Sequence, residues 1–308
     1  MPGMMPGMTL LGPNMLWAVF TLIAAAAQTA RNAMQRELTT TLGTVGATHV
    51  RFLFGFPFAI VSLAAVMIAL GEGLPQPPAI FWPWVLAGAF TQIAATATML
   101  SVMGQRSFVV AYAYIKTEPV QVALFGLIFL GDKVAPLSAA AILIATVGVI
   151  VISLKPGASQ ASTTRSTIIG LLSGALFALS AIGYRGAILT LHLKDFVLTA
   201  TFTVTVGLVI QAAVLSLYLW LRDPKVLADI RRAWRPSLFA GFMGAFASEF
   251  WFLGFAITSA ANVRTLALVE VLFAQGVTHF IFKQPTTERE RAGIVLVVLG
   301  VLLLVWAY

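Results

Sequence analysis

The chain has 308 residues, of which 59% are apolar and only 10% are charged. Soluble domains carry about a quarter charged residues, so a soluble globular protein of this length is not the expectation. The formal net charge of +8 is read as loop cations meeting lipid headgroups, not as a nucleic-acid footprint. Cysteine is absent and the three histidines (His49, His192 and His279) are scattered. These counts point to no disulfide framework, no metal centre and no cofactor.

A bilayer core about 30 Å thick asks for roughly 20 apolar residues per helix. Ten segments meet this, at about 13–31, 46–70, 80–103, 107–131, 134–154, 166–185, 196–221, 235–256, 260–282 and 290–308. The expected fold is an all-α membrane protein with ten transmembrane helices. The connection "KPGASQASTTR" (155–165) is the most polar linker and lies at the middle of the chain.

The halves on either side of that linker resemble each other. An offset of 152 places Ser107 on Ser259, Glu118 on Glu270 and Gly148 on Gly300. Offsets of 153 and 154 place Gly88 on Gly241 and Arg31 on Arg185. Five helices per half is an odd number, so the halves enter the membrane in opposite senses, the inverted-repeat plan of secondary transporters. The expected division is residues 1–156 as the first five-helix repeat, 157–165 as linker and 166–308 as the second repeat. Of the 19 Lys and Arg, 14 fall in or beside loops 1–2, 3–4, 5–6, 7–8 and 9–10. The positive-inside rule then puts both termini outside.

The run "EPVQVALFGLIFLGDKVAPLSAAAILIATVGVIVI" (118–152) follows a pattern of Pro119, then Leu130-Gly131-Asp132, then a late Gly148. The run "VEVLFAQGVTHFIFKQPTTERERAGIVLVVLGVLLLV" (269–305) keeps Glu270 and Gly300 but lacks the proline, and has Lys283-Gln284 at the membrane edge. With ten helices in two halves, the chain resembles the EamA-like permeases of the drug/metabolite transporter superfamily. That resemblance implies transport of a small molecule, with amino acids and other metabolites among the family's cargoes. It also implies a multi-pass protein of a bacterial inner membrane. Many such permeases are drawn with both ends cytoplasmic, against the charge count here, and both orientations are kept.

A charge inside the membrane costs several kcal/mol, of order 3 at a helix centre. Such residues face a partner or a cavity. The candidates are Lys116, Glu118, Glu249, Arg264 and Glu270. Lys116 and Glu118 are two residues apart, so on a regular helix they point to nearly opposite sides. Lys116 shares its face with Tyr112, Pro119 and Ala123, and Glu118 with Tyr114, Gln121 and Val122. Glu249 or Glu270 is the expected partner of Lys116, and Glu118 the carboxylate left for a coupling proton. Arg264 either lines the site or snorkels to the interface. Pro119 frees a backbone carbonyl near Ile115.

Gln92, Trp251, Tyr112 and Tyr114 could add hydrogen bonds and aromatic walls. Gly241/Ala245 and Gly244/Ser248 have the spacing of close helix contacts. Arg31 and Arg185 are read as topology or edge-pairing residues more than as ligands. No G-x-x-x-x-G-K loop, H-E-x-x-H or intramembrane aspartate pair occurs, so an enzyme is not expected. The expected activity is secondary export of a small polar metabolite such as an amino acid, with protons as the coupling partner. The alternatives are efflux of organic cations and, in another class, a non-transporting membrane scaffold.

Overall fold

The computed structural model describes residues 15–103, 113–153, 160–280 and 287–308. They form helices α1 (Leu16–Leu53), α2 (Phe56–Leu70), α3 (Phe81–Met103), α4 (Glu118–Phe125) and α5 (Pro136–Ser153). The second half holds α6 (Gln160–Thr190), α7 (Phe196–Arg222), α8 (Pro224–Arg232), α9 (Trp234–Ile257), α10 (Ala260–Leu266), α11 (Glu270–Phe280) and α12 (Glu288–Trp306). Among the described residues, seven helical stretches are long and apolar enough to cross a membrane. The first of them runs from Leu16 to Leu70.

Several boundaries differ from the sequence expectation. Residues 32–42 continue α1 as helix instead of forming a loop. The hydroxyls of Thr39, Thr40 and Thr41 donate to the carbonyls of Arg36, Glu37 and Leu38. A polar run read as a loop thus returns its hydrogen-bonding capacity to its own helix. The break comes at Gly43, with φ 65° and ψ 179°, a conformation that essentially only glycine adopts. The connection after α7 contains the short helix α8, whose Ile230 is buried. Residues 160–165 of the expected linker are the first turns of α6.

Two expected helices are interrupted near their glutamates. In the segment leading into α4 the helix gives way to a turn at Lys116 and Thr117. There Thr117 N–H donates to Tyr114 O and Val120 N–H to Thr117 O. Pro119 has no N–H to continue the ladder, so the chain tightens to i→i+3 bonds. The other break lies between α10 and α11, where Ala267–Val269 form a 3₁₀ turn ending at Glu270. Past Phe125 the chain winds into a π turn, Gly126–Leu130, closed by Gly131 at φ 68°.

Three helix pairs dominate the packing: α1 with α9, α3 with α6, and α5 with α12. Glycines set their close approach. A Cβ on Gly183 would lie 2.6 Å from Gly88 N, and one on Gly241 2.3 Å from Phe54 Cβ. At the α5–α12 seam, a Cβ on Gly148 would meet Val297 N at 2.7 Å and Gly293 O at 2.8 Å. One on Gly300 would meet Ala145 N at 2.6 Å and Ala141 O at 2.9 Å. Residue numbers rise along one helix as they fall along the other, so the pair is antiparallel.

Candidate functional site

Four segments bring their polar side chains together: α1, the entry to α4, α9, and the broken pair α10–α11. Lys116 forms an ion pair with Glu270, and Arg264 forms one with Glu118 through Nε and a terminal nitrogen, each 2.5 Å from Oε1. All four residues are buried, or nearly so; Glu118 is 6% exposed and Glu270 3%. The pairs cross: each segment sends one cation and one carboxylate to the other. Burial strengthens such attraction, and an unpaired member would be costly.

Further hydrogen bonds tie the pairs to α1 and α9. Gln28 Nε2 donates to Glu270 Oε2 at 3.1 Å, and Trp251 Nε1 donates to Gln28 Oε1 at 3.2 Å. The Arg264 guanidinium lies over the Trp251 ring, 4.9 Å from its centroid, a favourable cation–π arrangement. Trp251 therefore touches both branches of the network.

Beside this network lies a small chamber. Its walls include Gln28, Arg51, Gln92, Tyr184, Ser248 and Arg264, with Trp251, Phe252 and Phe255 giving it an aromatic side. Its free volume is about 20 Å³, room for about one water. Gln92 Oε1 accepts from Tyr184 Oη at 3.3 Å and from Gln211 Nε2 at 2.8 Å. Arg51 is 2% exposed. Its terminal nitrogens lie 3.4 Å from Thr96 Oγ1 and 3.4 Å from Ser248 Oγ. Both are long contacts to neutral hydroxyls, and its Nε is buried without a hydrogen-bond partner among the described residues.

Of the residues expected at a site, Lys116, Glu118, Arg264, Glu270, Trp251 and Gln92 are in this network or on the chamber wall. Lys116 and Glu118 do not diverge as a regular helix requires; the break at 116–117 lets both reach the α10–α11 segment. Arg264 does not snorkel, because it is buried between Glu118 and Trp251. Glu249 is not the partner of Lys116: its Oε1 lies 2.5 Å from Thr201 Oγ1, on α7. Tyr114 contributes its carbonyl to the Thr117 turn, and its side chain is not among those lining the chamber. Tyr112 lies outside the described residues.

Gly241 and Gly244 serve helix contact as expected, against Phe54 and Arg51, whereas Ser248 also lines the chamber. Arg185 is an edge-pairing residue: it meets Asp132 Oδ2 at 3.3 Å and donates to the carbonyls of Phe255 and Thr258. Arg51, Gln28 and Tyr184 are the polar side chains with a role in the network or chamber that the sequence reading missed, along with aromatic wall residues such as Phe252 and Phe255. Arg51 stands six residues inside an expected apolar helix (46–70), and that depth was the available signal.

Residues 162–306, nearly the whole second half, match the EamA-like transporter family. One solved structure, described only as "Crystal structure of protein", has the same fold with a TM-score of 0.71 at 14% identity. The match covers 94% of this chain and 96% of that one. No curated protein matches the chain. The apolar helices make this an integral, multi-pass membrane protein, and its second half is similar to the EamA-like transporter family, part of the drug/metabolite transporter superfamily.

Proposed function

We propose that the protein is a secondary active transporter that exports a small polar metabolite, an amino acid by preference, across a bacterial inner membrane by alternating access. The observation that carries this reading is the chamber at the crossed ion pairs, walled by α1 and α3 from the first half and by α6, α9 and α10 from the second. A scaffold has no need of a polar, charged chamber between its halves. With room for only about one water, the chamber is closed in this conformation. It would have to widen to admit a metabolite, as a rocking motion of the halves allows.

Ten membrane passes in two inverted repeats fit this reading. The stretch from Leu16 to Leu70 supplies two passes broken at Gly43. The broken α10–α11 and the charged start of α12 (Glu288 to Arg291) explain why length and composition alone count fewer. Support for the inversion comes from the α5–α12 seam. The offset of 152 maps Gly148, Ala145 and Ala141 onto Gly300, Val297 and Gly293, and these residues meet in exchanged pairs across an antiparallel contact. The packing of α1 on α9 and of α6 on α3 follows the same exchange. The division at the 157–165 linker belongs to this reading.

Counterflow in proteoliposomes tests the function directly. Vesicles holding the protein and loaded with unlabelled amino acids should take up labelled amino acid faster than empty-protein controls. Absence of protein-dependent uptake across amino acids, carboxylates, amines and sugars would sink the transport reading.

Proton coupling is assigned here to Glu249 instead of Glu118. Protonating Glu118 or Glu270 would break a buried ion pair, whereas Glu249 meets only the Thr201 hydroxyl and has no cation within ion-pair distance among the described residues. Glu249→Gln is expected to abolish accumulation driven by a pH gradient while sparing counterflow exchange. Wild-type pH-driven accumulation in that variant would remove Glu249 from the coupling step.

A further inference from the structure

Among the described residues at the chamber and the adjoining ion pairs, Lys116, Arg264 and Arg51 stand against Glu118 and Glu270. Lys116 and Arg264 are each neutralised by a glutamate. Arg51 has no carboxylate within ion-pair distance among the described residues. Instead it holds two hydroxyls at the long distance of 3.4 Å and leaves Nε unpartnered, at 2% exposure. A buried guanidinium without a counter-charge is unfavourable. Its hydrophobic stem is not the reason for its burial alone, since a Leu or Met would pack the same space without a charge.

We propose that Arg51 is the anchor for an anionic group on the substrate, which the chamber binds as a carboxylate held by the Arg51 fork with the Thr96 and Ser248 hydroxyls. Guanidinium suits this because its planar fork matches a carboxylate with two parallel hydrogen bonds. Thr96 lies on α3 and Ser248 on α9, the helices that sequence offset places at equivalent points of the two halves. An anion bound there bridges them, and its negative charge balances the surplus cation. The same excess of positive charge works against simple organic cations as cargo. Lys116 and Arg264, occupied by glutamates, hold the shape of the site and leave the anion to Arg51.

This inference rests on the transport reading, and the test separates the two. Matched probes are used: radiolabelled L-amino acids, the amines formed by removing their carboxylates, and the acids formed by removing their amino groups. Each is assayed for counterflow in proteoliposomes and for equilibrium binding to the purified protein in detergent. The wild type is expected to bind amino acids and acids but not the amines. Arg51→Gln is expected to weaken carboxylate binding roughly tenfold or more, with unchanged helicity by circular dichroism. Arg51→Lys is expected to recover part of that loss, since it restores the charge without the fork.

Binding without counterflow would overturn the transport reading and leave the anion site standing. The anion site is overturned if the wild type binds amines as well as it binds acids, or binds no carboxylate. It is equally overturned if Arg51→Gln weakens every probe class alike, or if Arg51→Gln leaves carboxylate binding intact. Should Arg51→Gln fail to fold, the Arg51→Lys split between acids and amines decides in the same way.

Discussion

Lys116→Met is expected to destabilise the protein by about 3–5 kcal/mol, because it strands Glu270 as a buried carboxylate. Gln28 would still donate to Glu270, but a neutral amide does not replace a cation. The double substitution Lys116→Met with Glu270→Leu should recover most of that loss, since an apolar pair of similar size avoids both desolvation costs. Chemical unfolding in detergent, followed by circular dichroism, measures both. A single variant as stable as the wild type would mean that the pair is not formed in the folded protein. The same logic applies to Glu118→Leu, which would strand Arg264 against the Trp251 ring. The double variant also separates roles: restored stability without counterflow activity would place the crossed pair in the transport cycle as well as in the fold.

The all-helical, apolar character of the chain was legible because the bilayer sets a length and a polarity that short-range sequence alone satisfies. The interruptions were less so. Gly43 stands in "TTTLGTVGATH", a run polar enough to pass for a loop, and its helical flanks depend on threonines bonding back to their own helix. Pro119 announced a break, and the helix does give way just before it, at Lys116 and Thr117. The consequence was not legible: once the helix gives way there, the rule that residues two apart face opposite sides no longer holds. That rule hid the Glu118–Arg264 pair, although Glu270 was already one of two expected partners for Lys116.

Arg51 was hidden by its position. Six residues inside an apparent helix end, an arginine reads as a topology signal, and only the three-dimensional packing of α1 on α9 turns it inward. Glu249 was legible as a buried charge but not in its partner: helix phase sends it to Thr201 on α7, while Ser248 and Trp251 beside it face the chamber.

Gly148→Ala and Gly300→Ala are expected to destabilise the protein to a similar degree, by about 1–3 kcal/mol each. Each new methyl would sit under 3 Å from backbone atoms of the facing helix: Val297 N and Gly293 O in one case, Ala145 N and Ala141 O in the other. Backbone cannot swing aside as a flexible side chain can, so α5 and α12 must separate. Helix propensity opposes this, as alanine is better than glycine in a helix interior by up to about 1 kcal/mol. The contact penalty should win because the seam is glycine-spaced at both ends. Gly276→Ala provides the contrast: a Cβ there meets no heavy atom within 4 Å, so only the propensity term remains and the variant should be slightly more stable. The double variant Gly148→Ala with Gly300→Ala should cost less than the sum, because a seam opened at one end already relieves the other. If Gly148→Ala proves costly while Gly300→Ala is neutral, the two ends are not equivalent, and the proposed pseudo-two-fold relation between the halves loses the support of this seam.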